Sequence, residues 1–124
     1  MGLEFLMVRI CLALIAASAL ALPASSVLAH ARLVAASPAS GTIVSAPRTI
    51  SLTFSERFAA PFSTIKVEDS RGRAVGLTKA VTDDGKTLSG SFAAPLTTGV
   101  YRVTWAIAAA DGHRMTGTYS FTVL

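Results

Sequence analysis

The sequence contains two histidines, His30 and His113. Their neighbours suggest a shared chemistry. His30 follows Val27-Leu28-Ala29, and His113 closes Asp111-Gly112-His113. Val27 and Ala29 stand at the two positions that signal peptidase reads. A cut after Ala29 makes His30 the new N-terminus, with a free α-amine beside its imidazole. Those two nitrogens grip one ion and close a six-membered chelate ring. His113 supplies a third nitrogen and Asp111 an oxygen. Copper(II) prefers nitrogen and oxygen donors in a tetragonal plane, and three nitrogens with one carboxylate complete such a plane. Gly112, between the two donors, has no side chain to obstruct an ion and tolerates turn geometry. Glu56, in Phe54-Ser55-Glu56, follows a strand end and is a fourth candidate at the same pole. Each residue also has a plainer reading: an accident of cleavage, an exposed loop histidine, a solvated loop carboxylate. The pairing of a terminal histidine with one beside an aspartate weighs toward metal.

This chemistry requires export. Residues 1–29 read as a signal peptide: Arg9, then an apolar run from Ile10 to Leu22, then a break at Pro23-Ala24-Ser25-Ser26. The run is too short to span a bilayer as a helix, which argues against an uncleaved anchor. Met7 is a more typical start than Met1. The expected location is the periplasm. The only cysteine, Cys11, leaves with the leader, so the exported domain is held by its core without disulfides. Residues 30–124 carry ten Lys or Arg against six Asp or Glu, scattered singly. No basic patch is interleaved with aromatics, which argues against nucleic acid.

The elements that must position these donors read as strands. Sustained helical periodicity is absent after residue 30, alternation is frequent, and turn signals recur every eight to twelve residues. Thr49 to Phe54 alternates Ile50, Leu52 and Phe54 against Thr49, Ser51 and Thr53. Phe62 to Glu68 turns Ile65 and Val67 inward. Ala31 to Ala35 and Ala74 to Leu77 are shorter candidates. Asp83-Asp84-Gly85 is a hairpin turn before Thr87 to Phe92. Gly99 to Ile107 and Met115 to Val123 are the strongest strands, expected to pair antiparallel with Asp111-Gly112-His113 at their tip. Six or seven short strands and one Trp predict an all-β domain over residues 30–124. Its architecture is an immunoglobulin-like Greek-key β-sandwich or barrel of about seven strands.

At this point the residues resemble a family. His30-Ala31, Ser37-Pro38-Ala39 with Gly41, Ala46-Pro47, Leu52-Thr53-Phe54-Ser55-Glu56, Tyr101-Arg102-Val103-Thr104-Trp105, and Asp111-Gly112-His113 followed by Gly117 and Phe121-Thr122-Val123 are similar to the CopC family of periplasmic copper-resistance proteins. The order and spacing of these pieces carry the likeness along nearly all of the chain after the leader. The resemblance implies a seven-stranded Greek-key barrel that binds copper(II) through the N-terminal histidine and the matches to Asp111 and His113. In some members a glutamate matching Glu56 is associated with the site. Some members add a methionine-rich loop for copper(I). Here Met115 is the only methionine after the leader, which favours a copper(II)-only type. The family often works beside CopD, an inner-membrane protein, and a CopD-like partner would here be a separate chain.

The expected function is therefore a monomeric copper(II) carrier or buffer of the periplasm, in homeostasis, resistance or uptake, rather than an enzyme. Binding must displace protons from the amine and imidazoles, whose ordinary pKa values are about 7.7–8.0 and 6.5, so affinity should fall with pH. Zinc competes for such donors but ranks below copper(II) in the general affinity order. Two other readings stand beside this one. A copper oxygenase with an N-terminal histidine meets the objections that so small a domain leaves little room for a substrate platform and that the carboxylate takes a position oxygen needs. A metal-free immunoglobulin-like interaction module predicts that losing both histidines changes nothing.

Overall fold

The computed structural model describes residues 30–124. The leader expected over residues 1–29 lies outside the described residues. Eight strands run in the order β1 (Leu33–Ser37), β2 (Ile43–Val44), β3 (Thr49–Phe54), β4 (Thr64–Glu68), β5 (Leu77–Val81), β6 (Thr87–Phe92), β7 (Gly99–Ala108) and β8 (Arg114–Val123), with a 3₁₀ turn at Ala60–Phe62 before β4. They form two four-stranded sheets, β1-β3-β6-β5 and β2-β8-β7-β4. The all-β sandwich expected from alternation is the observed architecture. Among the described residues, no helix is long and apolar enough to cross a membrane.

Alternation places the core as anticipated. Ile50, Leu52 and Phe54 of β3 are buried, as are Tyr101, Val103, Trp105 and Ile107 of β7 and Phe121 and Val123 of β8. Burying one such large side chain contributes roughly 1.5–3 kcal/mol. The core divides lengthwise into two clusters. One holds Ala31, Leu52, Phe54, Phe58, Leu88, Trp105 and Ile107. The other holds Ile50, Val67, Leu96, Tyr101, Val103, Phe121 and Val123. Trp105 meets Phe54 edge-on with ring centroids 5.0 Å apart, and it lies across Gly117 of the paired strand. A Cβ on Gly117 would sit 2.3 Å from the indole, so glycine there is a packing requirement.

Several boundaries differ from expectation. The first strand is shifted to Leu33–Ser37, because Ala31 plugs the core beside it instead of pairing. The fourth starts at Thr64, since Pro61 and Phe62 belong to the 3₁₀ turn. The edge strand is Leu77–Val81 rather than Ala74–Leu77. Lys79 interrupts its alternation, yet its ammonium donates to the carbonyls of Ala60 and Ser63 at 3.0 and 2.7 Å. A lysine stem with a satisfied head can occupy such a position. β2 has only two residues, too few for any periodicity, and pairs parallel with β8. It brings the count among the described residues to eight, where about seven are expected.

Candidate metal centre

β7 and β8 pair in unbroken register from Gly99↔Val123 to Ala108↔Arg114. The loop beyond is a tight hairpin turn. Ala109 N–H donates to the His113 carbonyl (2.9 Å) and Gly112 N–H to the Ala109 carbonyl (3.0 Å). Gly112 has φ +85°, in the left-handed region where side chains other than glycine are strained. This is the three-residue turn with a glycine bulge that hairpins favour. It holds Asp111 and His113 side by side. Asp111 Oδ1 accepts the His113 backbone N–H at 3.0 Å, and Oδ2 lies 2.8 Å from His113 Nδ1.

The start of the domain reaches the same place by a different route. Ala31 is 1 % exposed within the core. Arg32 N–H donates to Ser55 Oγ (2.9 Å), and Ser55 N–H returns to the Arg32 carbonyl (2.8 Å). These contacts fix the chain just after His30 against the end of β3. The β3–β4 connection is tied to the hairpin in turn: Phe58 bridges to Ala109, and Ala59 N–H donates to the Ala108 carbonyl (2.8 Å). Ser63, fully buried, donates its hydroxyl to the Ala59 carbonyl (2.8 Å) and accepts the Ala108 N–H (3.3 Å).

The result is a convergence of His30, Asp111 and His113, whose ligand atoms all lie within 4.8 Å of one another. The two imidazoles stand edge to face, centroids 5.7 Å apart. Donors bound to one ion at about 2 Å each sit roughly 3–4 Å apart, so small side-chain rotations suffice to close the set. All three groups are exposed, which leaves an ion open to exchange. His113 and Asp111 hold each other in their charged forms. The hydrogen bond from the imidazole, then the His113 backbone N–H, keeps the Asp111 carboxyl below its usual range. The same carboxylate raises the His113 pKa. The Asp111 carboxylate thus favours a positive charge beside it at the His113 ring.

Glu56 is not part of the converging trio. It is exposed and lines a groove of about 330 Å³ with Ala31, Arg57, Ala109, Ala110 and Asp111. It shares the pole without joining the cluster. Ser55 and Ser63 were not singled out by sequence reasoning. A serine directly after a strand is a weak signal, and burial of Ser63 next to Phe62 leaves no periodic trace.

Residues 33–124 match the CopC domain family. The chain is 34 % identical over 112 residues to copper resistance protein C of Xanthomonas campestris pv. juglandis, covering 85 % of this chain and 88 % of that protein. Solved structures are similar too. PcoC, a methionine-rich copper resistance protein from Escherichia coli, aligns with a TM-score of 0.71 at 34 % identity, over 77 % of this chain and all of that one. CopC from Methylosinus trichosporium OB3b aligns with a TM-score of 0.69 at 33 % identity, over 76 % and 93 %.

Proposed function

The chain belongs to the CopC family, and on that premise we propose how it handles its metal. It is a copper-binding protein of the copper-resistance type. The cargo is copper(II), held by His30, Asp111 and His113, with Glu56 beside the ligand set rather than in it. The observation that carries this is the convergence of those three groups from opposite ends of the domain. Nitrogen and carboxylate donors suit copper(II) over copper(I). In contrast to the methionine-rich Escherichia coli relative, residues 30–124 hold a single methionine, Met115, which packs partly buried against the core.

The site is completed by processing. Cleavage after Ala29 removes residues 1–29 and turns the amide nitrogen of His30 into an amine, which then chelates together with its imidazole. The processed protein is a monomer of the periplasm that carries or buffers copper, without catalysis, and passes it to or from a separate CopD-like inner-membrane partner. Exchange is favoured by the exposure of every ligand.

The test is to secrete the protein, determine its N-terminus by mass spectrometry, and record copper(II) paramagnetic resonance on the same sample. A start at His30 with nitrogen hyperfine structure that loses one component in His113→Ala is the expected result. A start elsewhere, or a spectrum indifferent to His30→Ala and His113→Ala together, overturns the ligand assignment. Zinc outcompeting copper(II) in calorimetry overturns the metal.

A further inference from the structure

The pole opposite the histidines is a second surface with its own chemistry. The charges of the described residues are unevenly spread. The histidine-bearing half carries Arg32, Arg57, Lys79, Lys86 and Arg114 against four carboxylates, Glu56, Asp83, Asp84 and Asp111. The other half carries Arg48, Lys66, Arg71, Arg73 and Arg102 against two, Glu68 and Asp69. Both of those are committed within the fold: Glu68 to Lys66 and Arg102, and Asp69 to Arg73 and the N–H groups of its own turn. The net positive charge of the exported domain is therefore concentrated at this end.

Ile43, Val100 and Leu124, three of the five exposed large apolar side chains among the described residues, lie in the same region. Val100, 49 % exposed, and Ile43, 65 % exposed, both pair with Thr122 of β8. The three form one row across the outer face of the sheet, with Arg102 two residues along β7 from Val100. Beside the row, three shallow grooves run into one another through shared walls. One of about 410 Å³ contains Arg48, Phe92 and Pro95. The next, about 220 Å³, shares Pro95 and reaches Asp69 and Tyr101. The last, about 230 Å³, shares Tyr101 and contains Arg71, Arg73 and Val100.

We infer that this pole is a docking surface for an anionic lipid leaflet. Cations around exposed apolar side chains, with few opposing carboxylates, have the chemistry of membrane-surface segments: phosphate attraction outside, shallow apolar insertion within. An acidic protein segment is the rival occupant, but it leaves the Ile43–Val100 row without a role. Docked this way, the protein lies on the membrane with the histidine pole directed away from it, toward soluble donors and acceptors. The inference rests on export to a membrane-bounded compartment and not on the ligand assignment, and the test involves no copper.

The exported protein is sedimented with vesicles of phosphatidylcholine alone and of phosphatidylcholine containing phosphatidylglycerol, at low and high salt. Binding to the anionic vesicles at low salt should exceed binding to neutral ones about tenfold or more, and fall as salt screens it. Arg48→Glu with Arg71→Glu should abolish that excess, and Val100→Ser should reduce it severalfold. Lys86→Glu with Arg114→Glu, at the other pole, should lower it far less. Circular dichroism of each variant verifies the fold. Equal binding to both vesicle types, equal losses from the two charge-reversal pairs, or binding of polyglutamate with no binding of vesicles overturns the assignment.

Discussion

Two hairpin tips at opposite poles of this sandwich are built on one backbone plan and do different things. In Asp69–Arg73, Gly72 N–H donates to the carbonyl of Asp69 and Asp69 N–H to that of Arg73; in Ala109–His113 the same two bonds recur, at distances within 0.1 Å. Both turns place glycine fourth, at φ +77° and +85°. The difference is where the aspartate stands. Asp69 is first, and its carboxylate is spent on the turn itself, accepting the N–H groups of Arg71 and Arg73. Asp111 is third, at the apex beside a histidine instead of an arginine. Only that tip meets the start of the domain. Moving one carboxylate by two positions converts a turn clip into half of the candidate metal site, and the fold supplies the other half.

The comparison can be broken in order of expected effect. His113→Ala or His30→Ala should lower copper(II) affinity by more than about 100-fold, exceeding the loss typical of groups that merely support ligands. Arg73→Ala should leave it unchanged; competition calorimetry reads both. Arg71→Asp with Arg73→His rebuilds the His–Asp pair on the other tip. Lacking a partner like His30, it should bind copper(II) at least about 100-fold more weakly than the native site, and parity would show that the terminal histidine is dispensable.

Gly112→Ala and Gly72→Ala should each cost about 1–2 kcal/mol in urea unfolding, the price of a side chain in the left-handed region. Only the first should also weaken copper binding. A smaller effect separates the carboxylates. Asp69→Asn should lower the melting temperature by a few degrees, whereas Asp111→Asn should chiefly lower copper affinity.

Acid and base should separate the tips last. Both carboxylates are held below their usual 3.8, Asp69 mainly by the Arg73 N–H and Asp111 mainly by the His113 ring. Each stabilises its tip above that value and loses this as pH falls through its lower folded pKa. His113 runs the other way. Its raised pKa gives stability present in full below the usual 6.5 and lost as pH rises through the folded value. As pH rises through the raised His113 pKa, the metal-free histidine tip should therefore loosen while the arginine tip does not. Amide hydrogen exchange at the two glycines checks this, after correction for the faster intrinsic exchange at higher pH. Copper affinity should climb over the same range as its competing protons leave.

The strands that alternate cleanly were legible in the sequence, and they carry the architecture: β3, β6, β7 and β8 lie where their apolar residues place them. The unreadable parts are those where a polar group occupies a core-facing place with its partner far along the chain. Lys79 hid β5 because its acceptors, Ala60 and Ser63, precede it by a loop and a strand. Ser63 itself looks like a loop residue until Ala108 is folded onto it. β2 exists only through its pairing with β8. At the candidate centre, the convergence of His30, Asp111 and His113 follows an expectation drawn from a predicted leader boundary and a hairpin apex, both of which leave sequence marks. Glu56 was drawn in by nearness to a strand end, and nearness is what it has: a groove shared with Asp111, not a place in the trio.

One small side chain sets a tolerance on the whole assembly. With Ala31 seated in the core and Arg32 laced to Ser55, the residue ahead of them starts from a fixed point beside the hairpin tip. If the cut falls after Ala29 as proposed, a peptidase that errs by one residue either removes His30 or leaves the new amine on Ala29, about 3.8 Å along the chain, outside the six-membered ring that a terminal histidine closes. Such a molecule, or one with a purification tag before His30, would keep the packing of Ala31 and Arg32 and lack that ring. Forms that differ in this way would share one core and part company when the metal is added.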